Sequence, residues 1–272
     1  MRIHIANYEP DRQGGGWTFS RYFAEHFEQS DYNDADIYFI TSASMVQRSE
    51  VKQAKEDGKK IVLRVDNAIR NSRNRNTGMT RLYDFAKWAD LIVYQSKWAR
   101  DYIEPFFADA FSVIDKPSVV ILNGVDTKLY NADNRHEAEA DTYLYARSSR
   151  DEGKGWIMAW YWFVNNEGRL EIAGKFSPEN LEYNFDFYNG ESYRFVGEQP
   201  NLIDSYKRNK YFLYTYLNDA CSNTLLEALA SGCEIVDVYG MLKTGGAPEI
   251  MACKDISIER CMKEYEDALC EL

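Results

Sequence analysis

Short runs rich in β-branched and aromatic residues alternate along the chain with longer stretches in which apolar residues return every three or four positions. The short runs predict strands at Arg2–Ala6, Asp36–Thr41, Lys60–Val65, Asp90–Gln95 and Ser118–Leu122. The longer stretches predict covering helices. Trp17–Glu28 sets Phe19, Tyr22, Phe23 and Phe27 at helical spacing, and Lys97–Phe107 does the same with Trp98, Tyr102 and Ile103. This alternation is what βα units around a parallel sheet require.

A polar run from Asn131 to Asp141, holding Asp133, Glu137, Glu139 and Asp141, interrupts the pattern, and beyond it the alternation begins afresh. The second set has predicted strands at Thr142–Ala146, Arg169–Ala173, Tyr193–Val196, Tyr211–Tyr216 and Glu234–Val238. Its predicted helices are Lys154–Asn165, Pro200–Arg208 and Asn223–Ser231, the last capped by Gly232. From Ser257 to Leu272, Ile258, Cys261, Met262, Tyr265, Leu269 and Leu272 share one helix face. The expected organisation is two α/β domains, residues 1–130 and 131–256, with a helix over 257–272 packing across both and a cleft between them.

Composition narrows the class. A chain of 272 residues with 45% apolar and 15% aromatic content can bury a core and is not that of a disordered protein. No run approaches the roughly 20 apolar residues of a membrane span, and the start, Met1 to Ala6, reads as a strand rather than a leader. Five cysteines, all in the last quarter and without a Cys-x-x-Cys pair, suit free thiols. The expected location is the cytoplasm.

The net charge of −11 means that a polyanionic partner would have to meet a local patch. One exists between Lys59 and Arg81, where Lys59, Lys60, Arg64, Arg70, Arg73, Arg75 and Arg81 face only Asp66, a balance of +6.

In open parallel sheets, ligands bind beyond the carboxyl ends of strands, so the loops that follow strands are the candidate sites. Three stand out. Gly14-Gly15-Gly16 precedes the helix predicted from Trp17 and lets backbone N–H groups approach a phosphate or sugar, although a plain strand-to-helix connection would look the same. Arg147 to Gly155 follows the first strand of the second domain, and Arg147 and Lys154 there could neutralise a diphosphate; a solvated turn is the alternative. Asn218 to Gly232 runs from a strand end into a helix whose first turn offers Ser222, Asn223 and Thr224 as caps and N–H donors.

The third segment resembles the Glu-x7-Glu signature of retaining GT-B glycosyltransferases of the glycogen-synthase-like group, with Asp219 in place of the first acid and Glu227 as the second. Gly14-Gly15-Gly16 resembles that family's N-terminal glycine loop. Asn123-Gly124-Val125-Asp126 resembles its interdomain motif, Arg147 with Lys154-Gly155 its phosphate-binding pair, and Gly246-Ala247-Pro248-Glu249 its following turn. The resemblance implies two Rossmann-like domains facing a cleft, an α/β fold of the GT-B type. It implies a hexosyl or pentosyl transfer from a nucleotide-diphosphate sugar without metal or other cofactor. Glu227 would bind the nucleotide ribose, Asp219 the sugar hydroxyls, and the N–H groups between them the diphosphate.

On the acceptor side, Asp66 follows a strand and is the candidate for orienting or deprotonating the acceptor hydroxyl, with a turn Asp as the alternative. His4, His26 and His136 lack metal-ligand spacing, so no metal site is expected. The basic segment 67–81, with Arg70, Arg73, Arg75 and Arg81 as candidate acceptor-binding residues, suits phosphates and base edges unless it is a solvated surface loop. Small enzymes of this group resemble phage-encoded glycosyltransferases that act on hydroxymethylated DNA bases, which makes such DNA the first acceptor to consider. A cell-surface polysaccharide or a lipid-linked glycan, a silent sugar-nucleotide binding module and an epimerase of the same architecture remain open at this level.

Overall fold

The computed structural model describes residues 1–12, 14–66, 75–133, 135, 139–147, 154–175 and 192–272. The chain forms two compact units. One comprises Met1–Gly124 together with Cys253–Leu272, the other Val125–Ala252. The division therefore falls at Gly124, ahead of the polar run near residue 130. The C-terminal segment Cys253–Leu272 belongs to the first unit.

The first unit is a parallel sheet of β1 (Ile3–Ile5), β2 (Ile37–Ile40), β3 (Lys60–Val65), β4 (Leu91–Tyr94) and β5 (Ser118–Val120), in that order across the sheet. Strands β2 and β4 are buried at every position, as continuous apolar runs covered on both faces must be. Helix α1 (Gly15–His26) and the C-terminal helix Ile258–Cys270 cover one face, where Phe19, Phe23 and Phe39 pack with Cys261, Tyr265 and Leu269. Helices α2 (Arg48–Glu56), α3 (Arg75–Trp88) and α4 (Lys97–Ala110) cover the other, with Val51, Phe85 and Phe107 against Tyr38, Leu63 and Tyr94.

After β1 the chain passes through α1 to Gln29, which bridges Ile3 on the edge of β1 away from β2. The winding thus reverses at β1, and the chain that follows Ala6 leaves the sheet at that switch point, where doubly wound sheets bind ligands.

The second unit repeats the plan. Its elements are β6 (Glu139–Ala146), α5 (Trp156–Val164), β7 (Arg169–Ala173), β8 (Tyr193–Gly197), α6 (Ile203–Arg208), β9 (Asn209–Tyr214), α7 (Asn223–Ala230), β10 (Glu234–Asp237) and α8 (Ala247–Ala252). The strand order is β10-β9-β6-β7-β8, all parallel. The chain runs outward from β6 to β8 and then returns to β9 on the other edge of β6. The switch point therefore lies between β6 and β9. Trp156, Trp160 and Phe163 of α5 pack on Tyr143, Tyr145, Leu170 and Ile172 and seal one face of this sheet.

Candidate functional site

The residues that leave β6 and β9 at this switch point converge. Arg147, immediately after β6, donates from Nη2 to Ser222 Oγ at 2.9 Å and to Asp219 Oδ2 at 3.3 Å. Lys154 Nζ reaches the same Asp219 oxygen at 3.2 Å. Beneath both cations lies the ring of Tyr216, 4.1 Å from the Arg147 guanidinium carbon and 5.7 Å from Lys154 Nζ. That ring is fully buried, and its hydroxyl donates to the Ala146 carbonyl at 2.9 Å and accepts from Thr224 Oγ1 at 3.1 Å.

Local backbone geometry sets these positions. The Lys154 carbonyl accepts from Thr215 Oγ1 at 2.7 Å, and Gly155 follows with φ of 70°. A Cβ at Gly155 would lie 2.3 Å from the Thr215 carbonyl oxygen, so the approach of the two loops admits only glycine. On the other side, Asn218 is left-handed at φ 58°, and the Asp219 carbonyl accepts from Gly246 N at 2.8 Å. Gly245, at φ 60°, passes so close to Asp219 that a Cβ would meet its carbonyl oxygen at 2.4 Å. The backbone of Asp219 is thus clasped while its side chain faces the cations.

Ser222 caps α7, its Oγ accepting from Leu225 N at 3.4 Å, and the same oxygen accepts from Arg147. The partial positive charge of that helix terminus is therefore next to the cation pair. Burial works against the charge of Asp219, but Lys154 and Arg147 outweigh it and hold the carboxyl below the usual range. Burial also works against the Arg147 guanidinium, and Tyr216 and Asp219 more than compensate. One helical turn on, burial pushes Glu227 up to about 7, against the opposing pull of a hydrogen bond from Tyr206 at 3.0 Å and of Arg147.

Of the residues singled out in the sequence, Arg147 contacts Asp219 and Ser222, Lys154 contacts Asp219, Thr224 joins them through Tyr216, and Asn223 and Glu227 lie on the same helix as Thr224. Asp66 follows β3 and is partly buried. The glycine run does not precede α1 as expected: the helix takes in Gly15 and Gly16, leaving Gly14 as its N-cap. Arg75 and Arg81, expected on a loop, are on helix α3. Arg70 and Arg73 lie outside the described residues. No group of three or more His, Cys, Asp or Glu placed to hold a metal ion occurs among the described residues.

Sequence reasoning missed Tyr216, Tyr206 and Gly245. Tyr216 closes a predicted strand, so the rule that sites sit at strand ends could have flagged it. Tyr206 and Gly245 carry no such signal.

No family model and no curated protein sequence matches the chain. Solved structures do. The Anabaena protein HepE, in complex with UDP and glucose, superposes with a TM-score of 0.76 at 12% identity over 100% of both chains. Sucrose-phosphate synthase from Thermosynechococcus elongatus gives 0.70 at 12% identity, covering 99% of this chain and 98% of that one. AviGT4, a glycosyltransferase involved in avilamycin A biosynthesis, gives 0.60 at 14% identity, covering 97% and 86%. With two parallel five-stranded sheets, each wound about a switch point, and with this likeness along its whole length, the chain has the GT-B fold.

Proposed function

We propose that the protein is a retaining glycosyltransferase that moves a sugar from a nucleotide-diphosphate sugar to an acceptor hydroxyl. The observation that carries this reading is the convergence of Arg147 and Lys154 on one point beside the N-terminus of α7, at the switch point of the second sheet. Departure of a nucleoside diphosphate develops negative charge on its phosphates. A guanidinium, an ammonium and a helix terminus fixed before the reaction stabilise that charge without reorganising. Glu227 would accept from the nucleotide ribose and Asp219 from the sugar hydroxyls. HepE in complex with UDP-glucose makes a uridine donor the first to try.

Because the leaving diphosphate can itself take the acceptor proton, transfer on one face needs no covalent nucleophile. Asp66 is proposed to orient the acceptor hydroxyl from the first unit. With Arg147 and Lys154 supplying the countercharge, turnover is expected to survive EDTA. The acceptor proposal rests on charge: Lys59 and Arg64 are buried, donating to Ala35 O and to Thr41 O and Asn123 Oδ1, but Lys60, Arg70, Arg73, Arg75 and Arg81 against Asp66 still give the segment an excess of positive charge within a −11 chain, which favours a polyanion, and DNA with a hydroxymethylated base is the case to test first.

The test is a panel of nucleotide sugars read by thermal shift, followed by mass spectrometry of candidate acceptors incubated with the donor that binds. A rise in melting temperature with one donor and a mass gain of one sugar on an acceptor are expected. Failure of every nucleoside diphosphate and nucleotide sugar to bind would overturn the reading.

A further inference from the structure

Asp219 stands where an anion would. Its Oδ2 is 3.2 Å from Lys154 Nζ and 3.3 Å from Arg147 Nη2, and it is largely buried, at 12% side-chain exposure. Arg147 is also held without it, and so is the main chain of Lys154. Tyr216 lies under both, Ser222 Oγ accepts from Arg147, and the carbonyl of Lys154 is tied to Thr215. Arg147 therefore stays in place if the carboxylate leaves, and its Nε, buried and without a hydrogen-bond partner among the described residues, has room in its bonding for another acceptor. The clasp at Gly245 and Gly246 restrains only the main chain of Asp219. Two side-chain torsions remain, and a change of rotamer moves the carboxylate off the pair.

We propose that Asp219 is an internal counter-ion that occupies the diphosphate position of the resting protein and is displaced when a nucleoside diphosphate binds. The inference rests on the donor reading above and adds to it. Bound to both cations, the carboxylate reduces the charge of the cluster from +2 to +1. A bare phosphate must then compete with an anion already in place. A nucleotide-diphosphate sugar brings further contacts, including its ribose at Glu227, and it also offers the released carboxylate new partners in its sugar hydroxyls. Asp219 would thereby act as a specificity determinant, discriminating whole donors from free phosphate and pyrophosphate.

The experiment is calorimetric titration of wild type and Asp219→Asn with UDP, ADP, GDP and inorganic pyrophosphate. The nucleoside diphosphate that binds wild type best should bind Asp219→Asn about tenfold more tightly, the scale of one released charge contact. Pyrophosphate should gain more, narrowing the discrimination. Equal or weaker binding by a folded Asp219→Asn overturns the inference while leaving the donor reading intact. If the variant does not fold, a crystal structure of wild type with the bound diphosphate decides. The Asp219–Lys154 and Asp219–Arg147 contacts should be broken there, and their persistence would refute displacement. Absence of binding by any of the nucleoside diphosphates to either protein would instead fail the donor reading and this inference with it.

Discussion

The hydroxyl of Tyr206, on a ring with no exposed surface, lies 3.0 Å from Glu227 Oε2 and 3.2 Å from the carbonyl of Thr224. It thus occupies one oxygen of a carboxylate that burial pushes up to about 7, from an ordinary 4.5. Between those two values the folded chain holds a proton that the unfolded chain has lost. The stability owed to this group is therefore full below about 4.5 and is lost as pH rises to about 7. Melting temperature measured from pH 4.5 to 8 should fall more steeply for wild type than for Glu227→Gln, which cannot titrate. In Tyr206→Phe, which lacks the hydrogen bond that lowers the pKa, the fall should extend to higher pH.

Glu227→Ala, Arg147→Ala and Lys154→Ala should each weaken nucleotide binding by about 1–3 kcal/mol, the value of one hydrogen bond to a charged group. Calorimetric titration with the donor found by thermal shift measures it. Unchanged affinity in both Glu227→Ala and Lys154→Ala would remove these residues from the donor site.

The loops that form the cluster leave no space for side chains at Gly155 and Gly245. Alanine at either position should lower stability by about 1–3 kcal/mol through backbone strain and should weaken nucleotide binding as the loops separate. Gly78 makes the contrast. It lies within α3, and a Cβ added there would meet nothing within 4 Å, so Gly78→Ala should stabilise by about 1 kcal/mol. Chemical denaturation of the three variants tests both signs.

If the basic segment tracks a phosphate backbone, DNA binding must weaken steeply with salt. Removing one phosphate contact, in Arg73→Ala or Arg81→Ala, should reduce the slope of log affinity against log salt by about one and leave donor affinity unchanged. DNA with and without hydroxymethylated cytosine provides the comparison. Absence of binding to either DNA at low salt would return the acceptor to the glycans.

Strands β2 and β4 were legible because buried parallel strands are written as continuous apolar runs. Lys60–Val65 and Arg169–Ala173 have the bounds read from the sequence. Helix α2 escaped because only Val51 and Ala54 of its nine residues are buried, too few to show a period. Helix α3 escaped because the cations at its start looked like loop, although Met79, Leu82, Tyr83, Phe85 and Ala86 pack against the core.

In the site, Arg147, Lys154, Asp219 and Ser222 were readable one by one as residues at strand ends. Their convergence was not, since it joins positions 72 and 65 residues apart. A ring stacked under two cations, as Tyr216 is, has no period or spacing by which a sequence could announce it.

The unit Val125–Ala252 is one continuous stretch, whereas the unit begun at Met1 is completed only by Cys253–Leu272. During synthesis, therefore, Phe19, Phe23 and Phe39 emerge from the ribosome more than 200 residues before Tyr265 and Leu269 arrive to cover them. The part made first is finished last, and the part made second can reach its native state while the first still shows an open apolar face to chaperones.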